Sequence, residues 1–211
     1  MDILIDTGDA PFATLLLAHG AGAPMDAAVM TRCTGSLCQV GFRVARFEFA
    51  YMAARRSGQR KPPPKAERLL DEYRAAVAAL DAPGPLIIGG KSMGGRVASM
   101  VADELHAGGK IAGLFCLGYA FHPPAKPEQL RTAHLMDLKT PALICQGTRD
   151  AFGTQDEVAG YKLPASIDIA WFEDGDHDLK PRKSISGFSH ADHIAAMAET
   201  AAAWARRIIA R

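Results

Sequence analysis

The chain has 211 residues, enough to bury a core as one domain spanning 1–211, and its 48% apolar and 22% charged residues exclude a disordered tail. Twenty-four basic against 23 acidic side chains leave a formal charge of +1, so no overall field recruits nucleic acid or an anionic membrane surface. Four cysteines without C-x-x-C spacing exclude a zinc ribbon and a disulfide scaffold, and read as buried thiols.

Residues 1–6 lack the basic start, apolar stretch and small-residue cleavage site of a secretory signal, so the mature chain is expected to begin here and stay in the cytoplasm. Short apolar runs at residues 3–6, 14–18, 42–47, 86–89, 111–117, 142–146 and 167–172, bounded by Gly, Pro or Asp, predict about seven strands. None approaches the roughly 20 apolar residues of a membrane span. After the third strand, Leu69, Tyr73, Ala76, Val77 and Leu80 recur at helical spacing, and Lys61-Pro62-Pro63-Pro64 forms a stiff lead into that helix that need bind nothing. Val97, Met100, Val101 and Leu105 predict a helix after the fourth strand, and Ile194, Met197, Ala201, Trp204 and Ile208 predict a last one. Strands alternating with amphipathic helices predict the α/β class, a three-layer α/β/α sandwich around a mostly parallel sheet.

The chemistry gathers at the strand ends. Gly90-Lys91-Ser92-Met93-Gly94 follows the fourth strand and opens a helix, the context of a nucleophile elbow, in which glycines relieve the crowding of a sharp turn that lifts a serine hydroxyl above the sheet. His19-Gly20-Ala21-Gly22 ends the second strand in a turn able to aim backbone N–H groups at a reacting carbonyl oxygen. Met93, at the helix N-terminus, supplies one donor of an oxyanion hole, and Ala21 or Gly22 the other. His19 reads as a brace for that loop. Asp150, just past the sixth strand, is placed to orient a histidine, and His177, in the loop after the last strand, to take the proton of Ser92. Ser92, Asp150, His177 is the chain order this chemistry takes on an open α/β sheet.

His190 and His193 read as capping or surface residues, and His106 as a cation at a helix end. Asp174, Asp176 and Asp178 read as a solvated turn and not as a metal cluster with His177, so no metal is expected. Arg55, Arg56, Arg60 and Lys61 after the third strand, with Lys180, Arg182 and Lys183 after His177, either gather an anionic substrate or are solubilising loop charge. Gly22, Lys91, His122 and Arg55 are candidate substrate contacts; for Lys91 and His122 the alternatives are plain exposure and turn bracing.

With His19-Gly20-Ala21-Gly22-Ala23, Arg46-Phe47-Glu48-Phe49, Tyr51-Met52-Ala53, Gly90 to Arg96, Phe121-His122-Pro123-Pro124, Gly147-Thr148-Arg149-Asp150 and Gly175-Asp176-His177, the chain resembles the α/β-hydrolase superfamily. It is more closely similar to a small bacterial branch related to the testis-expressed hydrolase-like proteins and the NSL-complex subunit. The resemblance implies a dienelactone hydrolase-like Ser-Asp-His hydrolase without cofactor. Ala50 stands where that branch has proline. Dienelactone hydrolases proper use cysteine as nucleophile, and Ser92 occupies that position here.

The expected activity is acyl transfer on an ester or thioester. Only about two dozen residues lie between the fifth and sixth strands, where larger relatives insert a helical cap, so an open site and small or accessible esters are expected, with no nucleic-acid or membrane partner. The alternative is an interaction module that keeps the scaffold without the chemistry, since fold alone does not fix function. Oligomeric state is not legible.

Overall fold

The computed structural model describes residues 1–59 and 61–210. Its strands are β1 (Ile3–Thr7), β2 (Ala13–Ala18), β3 (Phe42–Phe47), β4 (Leu86–Lys91), β5 (Gly113–Leu117), β6 (Ala142–Gly147) and β7 (Ile167–Phe172). Among the described residues these form one seven-stranded sheet in the order β1-β3-β2-β4-β5-β6-β7. Only β1 runs antiparallel, against β3; the other neighbours are parallel, as the α/β pattern requires. The helices are α1 (Ala28–Gln39), α2 (Ala50–Arg56), α3 (Leu70–Ala79), α4 (Met93–Ala107), α5 (Gln155–Ala159), α6 (Lys183–Ser186) and α7 (His190–Ile209). No helix among the described residues is long and apolar enough to cross a membrane.

Alternation along the strands builds two cores, one on each face. Leu16, Ala45, Ile88, Cys116 and Ile144 point to one side, where Tyr73 of α3 and Val97 and Val101 of α4 cover them. Leu15, Leu17, Val44, Ile87, Phe115 and Leu143 point to the other, against Met30 and Leu37 of α1 and Ile194, Met197 and Trp204 of α7. Strands buried on both faces read as continuous apolar runs, which is why they stand out in the sequence. This is the α/β-hydrolase fold without a large cap: between β5 and β6 the chain holds one 3-10 turn, Ala133–Leu135.

Several boundaries differ from expectation. β4 continues to Lys91 because Gly90 and Lys91 pair with Cys116 and Leu117. β5 starts at Gly113 and not at 111, because the α4 terminus runs on through Lys110, whose N–H bonds the Leu105 carbonyl at 2.9 Å. The helix expected from Leu69 to Leu80 is α3, Leu70–Ala79, with Leu69 and Leu80 as its flanking caps and a separate 3-10 turn, Ala66–Arg68, ahead of it. Arg55 and Arg56, expected in a loop, lie on α2. Ser189, not a histidine, caps α7: its hydroxyl accepts the Asp192 N–H while the Asp192 carboxylate accepts the Ser189 N–H. His193 is a correction too, being buried under the sheet with Nδ1 2.9 Å from the Leu179 carbonyl oxygen.

Candidate active site

The register brings the strand ends to one edge: Ala18 pairs with Gly90, Lys91 with Leu117, Leu117 with Cys145 and Gly147 with Phe172. Ser92 is the hinge between β4 and α4, with φ 53° and ψ −114°, a left-handed backbone that costs a residue with a Cβ about 1–3 kcal/mol. The neighbours that permit this bend must lack side chains. A Cβ on Gly90 would lie 2.5 Å from the Ala18 carbonyl oxygen and 2.8 Å from the Gly94 carbonyl carbon, and one on Gly94 only 2.4 Å from the Ala18 oxygen. The Ser92 N–H anchors the bend on the Leu117 carbonyl at 3.0 Å.

Asp150 follows β6 and is fully buried. Its Oδ1 accepts the Phe152 N–H at 2.9 Å, and its Oδ2 accepts from Gln146 Nε2 at 2.9 Å and stands 2.8 Å from His177 Nδ1. With a carboxylate opposite, Nδ1 carries the proton and Nε2 is left with a lone pair. The two loops meet closely, since a Cβ on Gly147 would sit 2.2 Å from the Gly175 carbonyl oxygen. Phe152 stacks on the imidazole, ring centroids 4.2 Å apart.

His19 is fully buried and burial lowers its pKa, so it is neutral. The Phe49 N–H donates to its Nε2 at 3.2 Å, which puts the proton on Nδ1, 2.6 Å from the Gly20 carbonyl oxygen. The Tyr51 hydroxyl donates to the Ala21 carbonyl at 3.0 Å. Both hold the turn still, the bracing expected of His19. Met93 is the first residue of α4, where N–H groups have no intrahelical acceptor.

Ala21, Ser92, Met93 and Phe152 line one cleft of about 520 Å³. His177 is not itself on the lining but stacks on Phe152, which is, and no direct hydrogen bond joins the Ser92 hydroxyl to the imidazole. A larger hollow of about 870 Å³ beside Met25, Glu48 and Arg56 is lined by one serine, Ser57, whose hydroxyl donates to the Ala54 carbonyl, and by no histidine, so volume does not select the site.

The structure therefore brings together Ala21, Ser92 and Met93, and pairs Asp150 with His177. Gly22 is exposed at the turn, with nothing within 4 Å of where a Cβ would stand. Lys91 is not exposed but buried: its Nζ donates to the His177 carbonyl at 2.6 Å and lies 3.1 Å from Asp178 Oδ1. His122 is likewise buried, with Nδ1 2.8 Å from the Pro123 carbonyl oxygen and Nε2 3.4 Å from Glu157 Oε2. Arg55 lies over Tyr51, its guanidinium carbon 5.6 Å from the ring centroid, and donates to the Lys61 carbonyl. Lys91, His122, Arg55 and Gly22 thus stand off the cleft wall. Of the basic loop residues, Arg56 is committed to Glu48 and Asp26, and Arg182 to Asp174; Arg60 lies outside the described residues. Asp176 Oδ1 accepts the N–H groups of Asp178 and Lys180, so the acidic turn is internally satisfied.

Sequence reasoning missed Gln146, Tyr51, Phe152, Arg96 and Arg131 as site residues. Gln146 carried a signal, an amide at the end of an apolar strand that must find partners. The Pro63-Pro64 run, read only as a lead into a helix, also walls the cleft. In a second serine–histidine pair, buried Ser99 of α4 has Oγ 2.8 Å from Nε2 of half-buried His134 in the 3-10 turn, and the Tyr119 hydroxyl shares the contact. Burial, and after it the Arg96 charge, pushes the His134 pKa down to about 4, and neither residue lines the cleft, so this pair braces α4.

Fold and strand-end site define an α/β hydrolase. The chain belongs to the α/β-hydrolase domain family, whose model matches residues 11–206. It is similar to the esterase domain of a Rhodothermus marinus protein (21% identity, TM-score 0.64, 96% of this chain and 91% of that one). It is also similar to an α/β serine hydrolase without lid from Xanthomonas campestris (17%, TM-score 0.71, 96% and 88%) and to a dienelactone hydrolase from Anabaena variabilis (17%, TM-score 0.69, 97% and 90%). At these identities the likeness speaks for the fold alone. Among curated proteins nothing matches the chain.

Proposed function

We propose that the chain is a carboxylesterase-like serine hydrolase working by two-step acyl transfer. His177 Nε2 takes the proton of Ser92, the oxygen of Ser92 attacks an ester or thioester carbonyl, and the N–H groups of Met93 and Ala21 hold the oxyanion. The collapsing intermediate expels an alcohol or thiol, which receives the proton from His177. Water, deprotonated by the same imidazole, then splits the acyl-enzyme and returns Ser92 to its hydroxyl form, so no cofactor enters the balance. Asp150 holds His177 in the tautomer that leaves Nε2 free. The observation that carries this reading is the left-handed backbone of Ser92 at the cleft, a strain that presentation of a hydroxyl accounts for.

The rest of the reading goes with it: one catalytic unit over residues 1–211, a cytoplasmic setting supported by four free thiols, and membership of the branch related to the testis-expressed hydrolase-like proteins, supported by the segments from His19 to His177. The open cleft favours small or accessible esters, so rates on aryl esters should not fall steeply as the acyl chain shortens. The test is labelling by a fluorophosphonate together with hydrolysis of a short aryl ester. Ser92→Ala should abolish labelling and lower turnover on the order of 10⁶-fold. Labelling or turnover that survives this substitution refutes the assignment and leaves the interaction module.

A further inference from the structure

The cleft that Ser92 and Phe152 line also carries charge that the acyl-transfer chemistry does not use. Lys65, Arg96 and Arg131 line it with a single carboxylate, Glu67, in a chain whose formal charge is only +1. Glu67 is already engaged, accepting from Arg96 Nη2 at 2.6 Å. Arg96 Nε is buried without a hydrogen-bond partner. Arg131 has no ion pair among the described residues, and its backbone N–H on the Phe121 carbonyl at 2.7 Å fixes where the side chain starts. Burial, and behind it the neighbouring Arg96 charge, holds the Arg131 guanidinium below its ordinary pKa. His134, also close to Arg96, is neutral and adds no charge. Two guanidinium groups in each other's field, one with an unused buried donor and the other without a counter-ion, are an arrangement that folding resists and a bound anion relieves.

We propose that Arg96 and Arg131 form an anion subsite beside Ser92, and that the substrate is an ester carrying a carboxylate near its scissile bond. This deepens the hydrolase reading and rests on it. Planar guanidinium forks match a carboxylate with two parallel hydrogen bonds, which a lysine cannot do. The subsite places anion recognition on a wall built by α4 and the β5–β6 connection, and leaves the loops after β3 and β7 to the other reading, solubilising charge.

The test compares p-nitrophenyl butyrate with the p-nitrophenyl monoester of glutaric acid, which places the carboxylate on the acyl side. A second pair, phenyl acetate against 4-acetoxybenzoate, places it on the leaving group. In the wild-type protein kcat/KM should favour the carboxylated member of one pair, about 10-fold to 100-fold at low salt, and the preferred pair identifies the side. The preference should shrink as ionic strength rises. In Arg131→Gln and Arg96→Gln the ratio within that pair should fall toward 1, and Arg131→Lys should restore only part of it. Because each ratio is internal to one preparation, partial misfolding does not imitate the result. Ser92-dependent turnover with no preference in either pair, or a preference unmoved by both substitutions, overturns the subsite alone. Absence of Ser92-dependent turnover on all four esters overturns the hydrolase reading and the subsite with it.

Discussion

Asp150 shows how many partners a buried carboxyl group gathers. Gln146, the Phe152 N–H and His177 all bond it, and Gln146 also clasps the Tyr119 backbone, accepting its N–H at 2.7 Å and donating to its carbonyl at 3.2 Å. Gln146→Leu keeps the volume but leaves Asp150 short of one donor and the Tyr119 N–H unpaired, while the Tyr119 carbonyl keeps the Phe121 N–H. Its unfolding free energy should drop by about 2–3 kcal/mol in urea titration. Through the loosened Asp150–His177 pair its kcat should fall by about 10-fold to 100-fold with KM nearly constant. A change in KM alone would show that Gln146 acts on binding instead of on the pair. At this scale Ser92, Asp150 and His177 are legible in the sequence because each follows a recognisable strand. Phe152 and Arg131 are not, since each reaches the cleft from an irregular connection whose path tertiary packing decides.

The joint between β4 and α4 does more than present Ser92. Lys91, the last residue of β4, ties the loop carrying His177 to the strand that precedes Ser92 through the His177 carbonyl and Asp178. Lys91→Met preserves length and apolar body but removes the donor. Backbone amides in the loop that contains His177 should then exchange faster with deuterium, and kcat should fall by about 10-fold to 100-fold. Unchanged exchange would mean that the loop is held by its other bonds. The central strands β2, β4, β5 and β6 are readable because burial on both faces keeps them free of exposed polar residues, whereas the edge strands β1 and β7 are exposed or half-buried. In contrast, α1 is rich in Thr, Cys and Gly, poor helix formers, and shows its pattern only once Met30, Cys33, Thr34 and Leu37 are seen buried together. Lys91 sits in a motif that the sequence makes plain, but the direction of its side chain depends on a loop 86 residues away.

Across the whole molecule, interior imidazoles tie stability to pH. Burial lowers the pKa of His19 and takes that of His134 from 6.5 to about 4. Between about pH 6.5 and 4 the unfolded chain binds protons that the folded chain refuses, so this contribution is complete above that window and is lost as pH falls through it. The melting temperature should decline from pH 7 to pH 5, and His134→Asn should decline less steeply; equal slopes would rule out His134 as a source. The sheet, its edge of strand ends and the absence of a large cap are properties at this same scale. The missing cap leaves Pro63 and Pro64 as part of the rim, and their ring-locked backbone has already given up its freedom before any guest arrives. Such a mouth has little to close and little to adapt. A molecule that matches its outline enters without reorganising the host, and one too broad for it is turned away by shape instead of being accommodated.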